Sequence, residues 1–272
     1  MNSLISSVYG PVTSWRFGQS LGIDPILQTS TCSFNCLYCQ LGSIQQITDK
    51  ESVYVRTEQF KQDFLDFLNK NISFDVITFS GSGEPLLAKN LSEMASFVKE
   101  QQPPKPLILL TNSTSLTNSS QREKLHFFDR VCFKLDSATE EIFLKMNRPV
   151  ETVVFSEVIK ALTEVKSYYK GIIEIQTMFM PLNSDQEHIE ALSKLIQEIG
   201  PSVVQLNTPK RPYPSTWNPR TRGDHFPKEP LPYATTTLKT ISEERAIEIE
   251  SYLRKTTKAE ILSVYKNFSK SS

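Results

Sequence analysis

FDVITFSGSGEP, residues 74–85, carries the reading that decides the fold. A short run of Val, Ile and Phe leads directly into a turn with two glycines and an acidic residue, Glu84. An apolar run this short reads as a strand buried on both faces. PLILLT (106–111), RVCFKL (130–135), GIIEIQTMFM (171–180) and SVVQLN (202–207) repeat the type, and SLGIDPIL (20–27) supplies a first strand, making six. Between the runs lie helix-period stretches. TEQFKQDFLDFLNK sets Phe60, Phe64, Phe67 and Leu68 on one face, and DQEHIEALSKLIQEIG does the same with Ile189, Leu192, Ile196 and Ile199 before Gly200 stops it. Strands alternating with helices require right-handed crossovers and therefore a parallel sheet. The predicted fold is a partial (β/α)6 barrel over residues 1–208, a proline-rich basic strap over 209–232, and a helical tail over 233–272 that packs on the barrel.

Such sheets bind ligands just beyond the carboxyl ends of their strands. TCSFNCLYCQLG (31–42) follows the first strand with Cys32, Cys36 and Cys39, three of the four cysteines in the chain. Gly81, Gly83 and Glu84 follow the second strand and Asn112 ends the third. Lys134 and Asp136 end the fourth, Gln176 lies in the fifth, and Asn207 closes the sixth. All the chemistry is expected on one face. Lys134 and Asp136, two residues apart, share a side of the sheet and can form an ion pair. Cys132, inside a strand, reads as a small core residue.

Composition bounds the setting. The 272 residues suit one large core, and 30 basic against 30 acidic side chains leave no global field toward nucleic acid or an anionic membrane. Neither a signal segment nor a membrane-spanning apolar run is apparent, so a cytoplasmic protein is expected. Three cysteines within eight residues make a poor disulfide framework and a better metal site. A structural zinc module remains one alternative, although zinc prefers four closed ligands and His126, His188 and His225 are all distant in sequence.

The CxxxCxxC loop together with SGSGEP resembles the radical S-adenosylmethionine (SAM) enzymes. VYGPVTSWRFGQSLGIDPI, CLYCQLG, TFSGSGEPLL, LLTNSTSL, FKLDSATEEIF with MNRP, and VVQLNTPKRP extend the likeness to one subgroup, the radical half of the tRNA demethylwyosine synthases, over about residues 8–212. The resemblance implies a [4Fe-4S] cluster on Cys32, Cys36 and Cys39, with the fourth iron left for SAM. It implies Tyr38 near the adenine, Gly83 and Glu84 at the SAM ammonium, Asp136 as a partner of the ribose hydroxyls, and Gly81, Asn112, Gln176 and Asn207 as further SAM contacts. It also implies hydrogen abstraction from a substrate, an RNA base by analogy, and an external flavodoxin- or ferredoxin-like electron donor. A peptide or protein substrate, including a glycyl-radical partner, is the alternative. The subgroup's additional cysteines for a second cluster have no counterpart here.

The strap PKRPYPSTWNPRTRGDHFPKEPLP (209–232) holds seven of the 16 prolines and five basic residues against two acidic ones. Either it faces substrate, with Arg211, Arg220 and Arg222 on phosphates and Trp217 or Tyr213 on a base, or it is a stiff connection. Arg148 of MNRP reads as a helix-terminal residue facing water. In the tail, SEERAIEIESYL begins with Ser242 as a cap, and KAEILSVYKNF shows Ile261, Leu262, Tyr265 and Phe268 at helical spacing.

Overall fold

The computed structural model describes residues 5–101, 105–209, 213–218, 222 and 233–265. Eight strands form one sheet in strictly sequential order: β1 (Val8–Ser14), β2 (Gly18–Ile23), β3 (Val76–Phe79), β4 (Leu107–Thr111), β5 (Arg130–Lys134), β6 (Ile172–Met178), β7 (Val203–Asn207) and β8 (Glu260–Ser263). Only β1 runs antiparallel, as a hairpin with β2, and every other neighbour pair is parallel. The sheet curls into a half-barrel. Its outer face carries the helices α1 (Thr57–Leu68), α2 (Leu91–Gln101), α3 (Glu140–Asn147), α4 (Phe155–Thr163), α5 (Gln186–Ile199) and α6 (Glu243–Thr256). Its inner face encloses a cavity.

The helices form where their periodicity places them. Phe60, Phe64 and Phe67 of α1 are buried, with Phe60 and Phe64 stacked at 5.9 Å and Phe97 of α2 edge-on to both. Burying each ring removes enough apolar surface to contribute about 1.5–3 kcal/mol. In α5, Asp185 caps the start by accepting from the His188 amide at 2.9 Å. Gly200, at φ 62°, ends the helix in the left-handed region that disfavours other residues. Ile189, Leu192, Ile196 and Ile199 all face the core. Ser242 caps α6 through the Arg245 amide.

The strand count and the tail differ from the sequence reading. Residues 260–263 are a strand, not the second tail helix: Ile261 pairs with Val204 and Leu262 with Gln205, parallel to β7. An uncovered β7 edge would leave backbone groups unpaired, and a four-residue segment with two apolar residues cannot separate helix from strand by period alone. Phe268 lies outside the described residues. The hairpin strand β1 is likewise additional, so six expected strands become eight. Among the described residues, no helix is long and apolar enough to cross a membrane.

Candidate active site

The cavity inside the half-barrel measures about 560 Å³. Cys32, Cys36 and Cys39 lie on its wall together with Tyr38, Gly81, Gly83, Glu84, Asn112, Gln176 and Asn207. The cysteine loop and the glycine turn, about fifty residues apart in sequence, are joined through their backbones. Thr31 donates to the Ser82 carbonyl at 3.0 Å, and Glu84 returns a bond to the Thr31 carbonyl at 3.0 Å. A Cβ at Gly83 would stand 1.6 Å from the Thr31 oxygen, so this crossing admits only glycine. Gly81, at φ 147°, leaves room for Asp24, whose carboxylate takes the Ser82 amide at 3.0 Å and the Ser82 hydroxyl at 2.7 Å.

Glu84 is 2% exposed and ties β3 to β4, accepting from Thr111 Oγ1 and the Asn112 amide, each at 2.7 Å, and from the Leu86 amide at 3.1 Å. Burial nevertheless pushes its carboxyl up to about 7, against the pull of those hydrogen bonds. Asn112 is also committed: its amide donates to Ser33 at 2.8 Å and reaches Cys32 Sγ at 3.5 Å, while its oxygen accepts from Thr114. Gln176 differs, because its amide faces the cavity with no side-chain hydrogen bond among the described residues.

Asp136 is placed differently from the expectation of a ribose contact. It is 2% exposed and is not on the cavity wall. Tyr38 donates to its Oδ2, as does Asn147 at 2.7 Å; the Met178 amide reaches Oδ1 at 2.7 Å and Lys134 pairs with it at 3.1 Å. Its oxygens are therefore occupied in holding Tyr38, and Lys134 sits 4.8 Å from the centre of the same ring. The Lys134–Asp136 ion pair is as the strand spacing implied.

All three clustered thiols are pushed up by burial, Cys36 to about 12, and repulsion from a neighbouring cysteine adds to the rise at Cys32 and Cys36. Thiolates gathered there need positive charge from a metal centre to exist. Amide N–H groups already point at two of the sulfurs, Asn112 at Cys32 and Asn147 at Cys36 (3.6 Å). Three cysteines in one loop with no fourth protein ligand beside them in sequence suit a cluster in which each sulfur binds its own iron better than a structural zinc site, which takes four.

Part of the strap forms the wall beside the cysteine loop. Tyr213 is buried with Tyr38, Met146, Met178 and Met180, and the Asn218 amide bonds the Leu41 carbonyl. Gly42, at φ 82°, passes within contact of Thr216. Trp217 is half-buried. Arg222 does not stand ready for phosphates. Its side chain is 8% exposed, pairs with Asp24 at 2.7 Å and lies 5.0 Å from the Tyr9 ring. Asp24 is wholly buried and attracts the nearest cation. Arg211 and Arg220 lie outside the described residues. Arg148 ends α3 in the left-handed region, exposed as expected.

Sequence reasoning missed Tyr9 and Arg16 on the cavity wall and Gln205, which lies buried behind Arg16 and bonds it; Cys132 is buried as expected, 2% exposed, and also borders the cavity. The strand alternation could have found Gln205 and Cys132, since inward positions follow period two.

A curled parallel half-barrel with a three-cysteine loop and a glycine turn at the strand ends defines an iron–sulfur enzyme architecture. The family model of the radical SAM superfamily matches residues 26–195, and the chain belongs to that superfamily. UPF0026 protein slr1464 of Synechocystis sp. is 38% identical over 225 residues, 83% of each chain. Among solved structures, TYW1 with a bound lysine-pyruvate adduct superposes with a TM-score of 0.59 at 13% identity, covering 89% of this chain and 76% of that one. Native anSMEcpe with bound AdoMet gives 0.59 at 18% identity, covering 90% and 64%. These two likenesses are of fold. As a member of its superfamily, the protein is a radical SAM enzyme using a [4Fe-4S] cluster and SAM.

Proposed function

We propose that Cys32, Cys36 and Cys39 each hold one iron of the cluster, that SAM occupies the fourth, and that the substrate is a base in RNA. The observation that carries this reading is the Thr31–Gly83 crossing, which sets the cysteine loop against the glycine turn at the cavity wall. When bound, the cluster supplies the electron that cleaves SAM to methionine and a 5′-deoxyadenosyl radical. The chain's own residues position and shield. Glu84 offers a carboxylate to the SAM ammonium, Gly83 lets the backbone approach, and Gly81, Gln176 and Asn207 face the cofactor. Asn112 and Asn147 direct N–H groups at the sulfurs, and Asp136 fixes Tyr38 beside the adenine. The electron comes from an external flavodoxin- or ferredoxin-like donor.

An RNA base is supported by the likeness of residues 8–212 to the demethylwyosine synthases and by aromatic walls, Tyr9 and Tyr213, on which an unstacked base can lie. A peptide or protein substrate is the second reading. The zero net charge and the commitment of Arg222 to Asp24 favour it, because both reduce the basic footprint that RNA binding needs. The deciding experiment incubates anaerobically reconstituted enzyme, SAM and reductant with total tRNA from cells grown in heavy water. Deuterium in 5′-deoxyadenosine supports RNA. Deuterium arriving only from a labelled protein fraction establishes the second reading.

A further inference from the structure

The end of the cavity away from the cysteines carries a charge that the SAM reading does not use. Arg16 sits in the turn between β1 and β2, at the amino-terminal end of the parallel strands, and lines the cavity. Its guanidinium lies near the rings of Phe17 (5.0 Å) and Trp15 (5.9 Å). Nη1 donates to Gln205 Oε1 at 3.1 Å, whereas the buried Nε has no partner. No carboxylate lies within ion-pair distance of Arg16 among the described residues.

The nearby carboxylate is already assigned. Glu174, fully buried, takes the Arg130 guanidinium through Nε at 2.7 Å and through Nη2. Gln205 fixes the order of the chain: its NH₂ donates to Glu174 Oε2, so its oxygen must face Arg16. Among the described residues, two guanidiniums therefore share one carboxylate, and the floor holds one excess positive charge. A desolvated cation with a vacant N–H is costly unless an anion completes it, and desolvation pulls the Arg16 charge downward in just that sense.

We propose that Arg16 receives the carboxylate or phosphate of a small molecule that shares the cavity with SAM. A guanidinium is the side chain suited to these planar or tetrahedral oxyanions, because it donates in a fixed fork. Trp15, half-buried on the same wall, offers apolar surface to the rest of the ligand, whereas Phe17 is covered by Arg16 and Arg130. An RNA phosphate is not its match, because the nucleic-acid backbone remains at the mouth when a base enters. The inference rests on the reading that SAM takes the cysteine end of the same cavity.

The test is isothermal titration of cluster-reconstituted enzyme with SAM bound, using inorganic phosphate, acetate and malonate in turn at constant ionic strength, with chloride as the control. Saturable binding of at least one of the three is expected. Arg16→Gln, which can still bond Gln205, should weaken it at least tenfold, and Arg16→Lys should weaken it less. Wild-type titrations indistinguishable from chloride overturn the proposal, as does equal affinity in Arg16→Gln. The wild-type arm decides even if a variant does not fold. Measuring 5′-deoxyadenosine in the same preparations separates the two readings: its absence would count against SAM at the cysteine end, while anion binding still reports on the floor.

Discussion

The two ends of the cavity satisfy their polar groups in opposite ways. At the cysteine end, Glu84, Asn112, Asp24 and Asp136 are each bonded several times over, and the loops are locked by backbone contacts. At the floor, one bridging glutamine passes a shortage of negative charge on to Arg16. A saturated network holds geometry, which a cofactor requires. An unsaturated one leaves a place for something that comes and goes.

The strongest way to break this comparison is at the thiolates. Cys36→Ala should abolish both the cluster and 5′-deoxyadenosine formation, whereas Cys132→Ala should retain the cluster absorbance, because its sulfur faces Gln205 away from the loop. Optical and electron paramagnetic resonance spectra of the reconstituted variants check this. A brown, active Cys36→Ala protein would remove the cysteine loop from the site.

Backbone locking predicts a second effect. Gly83→Ala puts a methyl 1.6 Å from the Thr31 oxygen, so the two loops must separate. Overpacking of this kind costs about 1–3 kcal/mol. Urea denaturation should show that loss, with weakened SAM binding. Unchanged values for both would mean that the crossing is looser than its geometry.

A third test uses pH. Burial pushes the Glu84 carboxyl up to about 7, against 4.5 for a free glutamate. Between about 4.5 and 7 the folded protein therefore binds more protons than the unfolded chain, and stability falls as pH rises through that window. An arriving ammonium favours the ionised carboxylate, so SAM binding releases a proton and tightens as pH climbs through 7. Glu84→Gln should flatten both profiles. Its SAM affinity at pH 8 should drop by about 1.5–3 kcal/mol, the scale of a hydrogen bond to a charged group. Calorimetry at pH 6 and pH 8 in two buffers of different ionisation heat measures the proton directly.

The same contrast explains what was legible in the sequence. Cys32, Cys36, Cys39, Gly83 and Glu84 are compact local motifs, and strand-end placement gathers them whatever the details of packing. The helices α1 and α5 were legible because a buried stripe over three turns has no other explanation. By contrast, Arg16 and Gln205 are 189 positions apart, and nothing local marks either as a binding group. The strand at 260–263 was hidden because its reason for existing is the open edge of β7, a tertiary fact. The family resemblance puts Asp136 at the ribose of SAM. Only the three-dimensional packing shows Tyr38 and Asn147 taking its second oxygen.

The smallest effect concerns the strap, where an exposed-looking arginine proved to be a pin. Arg222→Ala removes the ion pair to Asp24 and the contact over Tyr9. Asp24 would keep the amides of Ile26, Leu27 and Ser82 and the Ser82 hydroxyl, so its charge would not be left bare. The expected loss is therefore about 1 kcal/mol, near a single net hydrogen bond and well short of breaking an isolated buried pair. Urea denaturation should register it, while the salt dependence of tRNA retention on filters stays as in wild type. An arginine that met a phosphate would behave the other way: stability would hold, and the slope of log affinity against log salt would fall by roughly one. That outcome would return Arg222 to the substrate side of the molecule and free Asp24 to act on the glycine turn alone.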